Sequence, residues 1–339
     1  MQIGGHDTAL RTAAQELGAG HWMSMRGLLA TTDVSRSWAT WTYRSQVLAA
    51  AAAGSNIVET WHAEAPDVTS VVMTARVTTE RALRARTARH PDTHALWHTA
   101  MAKCRAAVYD APDNPVPWIC FLALAVIDEG QQEAEHRVRT PDPMLPPGPW
   151  GLLQRAHHLD PYNREAYHRM LQYWLSGAGT GTVATAEGYA RWALSWAEQP
   201  AGAALLMLPV YVRLERWLRQ PRDSLDMHWL NPYAIQDATT ALDRWFALTA
   251  PADQSVQDLN YLAHALWAGQ QYTEAAPVFE AMGRHITPRP WSDRLPESTD
   301  AELHDFIARA RARCLTHAAG KPPPRRAGTP PAHSHRPFL

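Results

Sequence analysis

The stretch from Trp150 to Leu175, WGLLQRAHHLDPYNREAYHRMLQYWL, constrains the fold more than any other part of the chain. Leu152, Leu153 and Ala156 stand at helical spacing, and Asp160-Pro161-Tyr162-Asn163 then stops the helix. Ala166, Tyr167, Met170, Leu171 and Trp174 follow on one face of a second helix. Each helix carries a single apolar stripe that it cannot bury alone, so a unit of this kind must stack on others like it.

The same pattern recurs along the chain. Helical hairpins are expected over residues 6–31, turning at Gly18 and Gly20, and over 35–64, turning at Gly54-Ser55-Asn56. A third is expected over 68–109, where His90-Pro91-Asp92 separates its helices and Asp92 is placed to cap the second. A helix over 116–128 leads into a connection at 128–149 in which Pro141, Pro143, Pro146, Pro147 and Pro149 exclude a helix. Further helices are expected at 184–197, 202–219, 232–248, 255–268 and 273–285, with a capping helix at 299–316. No alternating β pattern with hairpin turns occurs, so the predicted fold class is all-α. Residues 1–318 read as one helical-repeat domain, and the proline-rich, acid-free stretch 319–339 as a disordered basic tail.

Sliding the chain by 49 residues lays Ala107 on Ala156, Pro112 on Pro161, Asn114 on Asn163 and Trp118 on Tyr167. Phe121 then falls on Met170 and Leu122 on Leu171. In the segment DLNYLAHALWAGQQYTEAAPVFEAMGRHITP, Leu262, Ala263 and Leu266 sit on a first helix, Tyr272, Ala275 and Phe279 on a second, and Pro288 at the stop. With these positions the chain resembles the tetratricopeptide-repeat (TPR) family. Two departures are Gly269, one place early, and Met282 where the family usually has alanine. The resemblance implies a right-handed superhelix of antiparallel helix pairs, a TPR-like α-solenoid. Its first helices would line a concave groove with the side chains opposite the packing stripe. Carried over, those positions are Val116, Ile119 and Ala123; then Glu165, His168, Arg169 and Gln172; then Gln257, Asn260, Tyr261, His264 and Trp267. The expected peptide- or protein-binding residues are His168, Arg169, Gln172, Asn260, Tyr261, His264 and Trp267, because amides pair with a peptide backbone and aromatics hold its apolar side chains. The lysine-rich carboxylate clamp of chaperone-binding members is missing, since the only lysines are Lys103 and Lys321.

Other chemistries find less support. The glycine-rich run at 177–181 follows no strand and precedes no Gly-Lys-Ser/Thr, so it reads as a helix–helix loop. His94 and His98 share a helix face without a third ligand nearby, and a solvated face is expected. Asp128-Glu129 is the only adjacent acid pair, and no Gly-x-Ser-x-Gly elbow occurs. Trp174, Trp192, Trp196, Trp217 and Trp245 fall in core phase, whereas Trp267 lies off its stripe.

A formal net charge of −1 argues against general attraction to nucleic acid or to an anionic membrane. Cys104, Cys120 and Cys314 are widely spaced and read as buried thiols in a reducing compartment. No secretory segment or apolar run of membrane-spanning length is found, which leads to the expectation of a cytoplasmic protein. The function expected is a non-enzymatic scaffold binding a protein or peptide segment, with no cofactor and no metal. Two alternatives stay open: an enzyme built on a helical toroid and acting on a carbohydrate or isoprenoid, and a peptide-responsive regulator.

Overall fold

A computed structural model describes residues 5–140, 142–220 and 225–320. Among them the architecture is all-helical, and the only β feature is one antiparallel bridge between Val138 and Gly148. The helices are α1 Thr8–Gly18, α2 Met23–Ala30, α3 Ala39–Ala52, α4 Ile57–Glu64, α5 Val68–Thr87 and α6 Thr93–Asp110. They continue as α7 Val116–Leu124, α8 Trp150–Leu159, α9 Arg164–Leu175, α10 Val183–Ser195, α11 Leu208–Leu218 and α12 Leu225–Trp229. The last are α13 Pro232–Ala241, α14 Val256–Ala268, α15 Tyr272–Met282, α16 Pro288–Trp291 and α17 Asp300–Ala319. Of the stretch 319–339 expected to be a disordered tail, Ala319 ends α17 and Gly320 caps it, and residues 321–339 lie outside the described residues.

Local chemistry explains where the helices start and stop. Asp67 caps α5 and Thr299 caps α17, each in a reciprocal capping box with the residue three positions on. Asp92 takes the position ahead of α6 but makes no side-chain cap bond, contrary to the role expected of it. α15 ends at Gly283, whose φ of +59° suits glycine. The proline-rich connection is not wholly extended. Asp128 accepts from the backbone N–H groups of Gln132 and Glu133 and from His136 Nδ1, which winds Ala134–Arg137 into a 3₁₀ turn.

Packing runs mainly between neighbours and next-neighbours in sequence. α1 meets α2 and α3, α3 meets α5, α5 meets α6 and α7, and α7 meets α8 and α9. α9 then meets α11, α11 meets α14, and α14 meets α15, so α1, α3, α5, α7, α9, α11 and α14 form one connected row. Contacts also cross this row. α3 touches α9, and the N-terminal segment reaches the far end, where His6 Nε2 donates to Ala281 O at 2.9 Å and the His6 and His285 rings stand 4.5 Å apart. Gly5 makes that approach possible: its φ is +54°, and a Cβ there would overlap the Val256 side chain.

Large aromatics fill the core. Trp61, Trp174, Trp229, Trp245 and Trp291 are almost completely buried. Trp174 and Trp245 meet their core expectation, as does Trp217. Trp196 does not: α10 ends at Ser195, the helical phase no longer applies, and the indole is 40% exposed. The three cysteines are free and buried. Among the described residues no helix is long and apolar enough to cross a membrane.

Candidate functional site

The residues expected to line a concave groove are mostly buried under the chain itself. Val116, Ile119 and Ala123 are inside the core, because α7 (VPWICFLAL) is apolar all round and is packed by α5, α6, α8 and α9. Asn260 is fully buried and engaged. Its Nδ2 donates to Val256 O and His285 O, and its Oδ1 accepts from Thr287 N and Trp291 Nε1. It therefore anchors the segment 285–291, which lies over the face of α14 where a ligand was expected. His264 is enclosed by Trp229, Trp267 and Trp291 and accepts from Arg294 Nε at 3.0 Å. Tyr261 stacks on Tyr211 at 3.9 Å between ring centroids, and His168 meets the same Tyr211 edge-on at 4.6 Å. Trp267 is partly buried against Phe306 and holds the Arg294 guanidinium over its ring. Arg169 pairs with Glu165 and donates to Gln172 Oε1; of the seven, only Gln172 is exposed.

The interior between the row helices is held by charge. Arg76 of α5 forks onto Glu165 of α9, with Arg169 as that carboxylate's second partner. Arg164 of α9 pairs bidentately with Asp258 of α14, which also accepts from Tyr211 at 2.8 Å. Burial raises the Asp258 carboxyl pKa, yet the charge and hydrogen bonds of Arg164, with Tyr211, leave it below the usual carboxylate range. Glu165 is lowered in the same way: burial opposes it, and Arg76 and Arg169 outweigh burial. His168 is pushed down to about 3 by burial and then by Arg164, so it is a neutral imidazole at ordinary pH.

An open space remains where the first and last helices of the row come together. A cavity of about 390 Å³ lies where the N-terminal ends of α1, α3, α9 and α14 converge with the segment 200–204 ahead of α11. Asp7, Asn163 and Ser255 cap α1, α9 and α14 there. Asp160 accepts from Trp38 N at the start of α3 and from Asn163 Nδ2. The cavity's remaining charges are largely matched: Asp7 pairs with Arg44, Glu165 with two arginines and Arg164 with Asp258. Trp245 enters the wall from a π-helical turn over Leu242–Phe246, and Tyr162 enters with φ +60°, its ring against His157 and Trp196.

The Asp253 carboxylate, exposed on the wall, makes no hydrogen bond or ion pair among the described residues; the other groups left to a ligand are neutral. Thr40, Tyr43 and Gln46 form a stripe along α3 on the cavity wall, and their side chains make no hydrogen bond among the described residues. Gln254, which lines the same cavity, is 9% exposed. Its Nε2 donates to Phe246 O at 2.9 Å and Thr249 O at 3.0 Å, which fixes the amide and leaves Oε1 unpaired. No group of three or more His, Cys, Asp or Glu suited to hold a metal occurs among the described residues. Sequence reasoning missed this cavity because its walls come from five separate stretches. The one signal was the set of helix-start residues, Asp7, Asn163 and Ser255. Comparisons with known protein families, with curated proteins and with solved structures return no match.

Proposed function

We propose that this chain is a TPR-like α-solenoid, a right-handed superhelix of antiparallel helix pairs, and that it works as a non-enzymatic scaffold binding a protein or peptide segment. The observation that carries this reading is the connected row from α1 to α14, each helix meeting the next member of the row, as expected of a repeat array.

The test is selection against a random dodecapeptide display library, beside a heat-melt screen of sugars and isoprenoid diphosphates. The proposal expects enriched peptides that compete with one another for the chain. A stabilising sugar or diphosphate together with no enriched peptide would overturn it in favour of the toroid enzyme.

A further inference from the structure

We propose that the cavity at the N-terminal ends of α1, α3, α9 and α14 is the peptide site, and that it takes an extended stretch of a few residues without acidic side chains through its backbone amides. This rests on the scaffold reading above and adds the place and the ligand chemistry. A peptide backbone presents N–H donors and carbonyl acceptors alternately along its length. The cavity offers a matching mixture: the Tyr43 hydroxyl and the Gln46 amide on α3, and the unpaired Gln254 Oε1. Gln254 is nine-tenths buried, and its amide nitrogen is already spent on two carbonyls, so the oxygen is presented in one fixed orientation. An acceptor with no donor from the protein is available to a ligand N–H.

Charge argues against an anionic ligand. The arginines near the cavity already have carboxylate partners, so a ligand carboxylate finds no spare cation. Asp160 and Asp253 also line the cavity with no cationic partner among the described residues, which disfavours a ligand carboxylate further. The rest of the wall is small or apolar, including Pro200, Ala201, Ala204, Trp245 and Pro251, and suits side chains of modest size.

The experiment is saturation-transfer NMR on the full chain with acetyl-Ala-Ala-Ala-amide, its central-Asp and central-Lys analogues, and cellobiose. The same probes are applied to Ala252→Trp, which fills the cavity from an exposed rim position, and to Ala201→Trp from the opposite rim. A melting curve for each variant establishes that it folds, and either one suffices. The expected result is transfer to the neutral tripeptide, loss of that signal in the filled variant, and roughly tenfold weaker binding of the central-Asp analogue than of the other two peptides. Transfer that persists in the filled variants, no transfer to the neutral tripeptide, or a preference for cellobiose overturns the proposal. If library-selected peptides bind the filled variants as they bind the parent, the scaffold reading stands and the cavity assignment falls.

Discussion

Arg76 Nη1 donates to Glu165 Oε1 at 2.8 Å, and this pair ties α5 to α9 inside the row of helices. The guanidinium also donates to Thr42 O at 3.2 Å and to Ser45 Oγ at 3.3 Å, so one side chain joins three helices. Both charged groups are at least 95% buried. Such a pair is a weak source of net stability but a costly one to break, because the survivor is left charged in the interior.

Arg76→Ala is therefore expected to destabilise the chain by about 3 kcal/mol, since Arg169 still accompanies the orphaned Glu165. Arg76→Lys should recover little, because an ammonium cannot reproduce the fork onto two carboxylate oxygens and Thr42 O. Urea unfolding of the two variants checks this. Full recovery by lysine would mean that charge alone matters at this position.

Stability should fall on mild acidification, and the sign follows from His168 and His264. Burial, then Arg164, holds His168 at about 3; burial, then Arg294, holds His264 well below its usual value. Between the unfolded value near 6.5 and the folded value, the unfolded chain binds more protons than the folded one. Stability is then lost as pH falls from about 6.5, at roughly 1.4 kcal/mol per pH unit for each histidine. His168→Phe should remove one histidine's share of that slope between pH 6 and pH 4. An unchanged slope in the variant would contradict the neutral, buried assignment.

Gly5→Ala should loosen the contact between the N-terminal segment and the far end of the row. The substitution meets both a left-handed backbone and the Val256 side chain, at a cost of about 1–3 kcal/mol. Amide exchange should quicken at residues 6–10 and 281–285 while α5 to α7 keep their protection. Uniform acceleration across the chain would show that the contact is no separate unit.

Trp174→Ala should cost about 3–5 kcal/mol, because the ring is fully buried among Trp150, Tyr173 and the backbone of Gly148. Gly148 has no room for a side chain, since a Cβ would stand 2.5 Å from the Trp174 ring. Thermal unfolding of Trp174→Ala decides the point, and a loss below about 1 kcal/mol would contradict it.

The helix pairs were legible because two local signals agree, an apolar stripe at helical spacing and a proline or glycine break. Leu152, Leu153 and Ala156 before Pro161, and Met170 and Trp174 after it, lie where the stripe puts them. α16 escaped notice because its sequence, PRPW, looks like a stop. The burial of the expected groove residues has a physical reason visible in two of them. Asn260 and His264 have the polarity of surface groups, but Trp291, Thr287 and Arg294 satisfy them from inside the chain. Hydrophobic periodicity tells which face packs on the neighbouring helix. It does not tell that a later segment returns to cover the opposite face. The cavity is a matter of long-range assembly, and no local pattern in residues 37–46 foretells that they face 249–256.

The most direct test of the account is amide hydrogen exchange of the full chain with and without a library-selected peptide. The account predicts new protection at the start of α3, in residues 200–204 and over 249–256, with the faces bearing Gln172 and Trp267 unchanged. Protection confined to the 168–172 and 260–267 faces would contradict it and return the site to the concave groove.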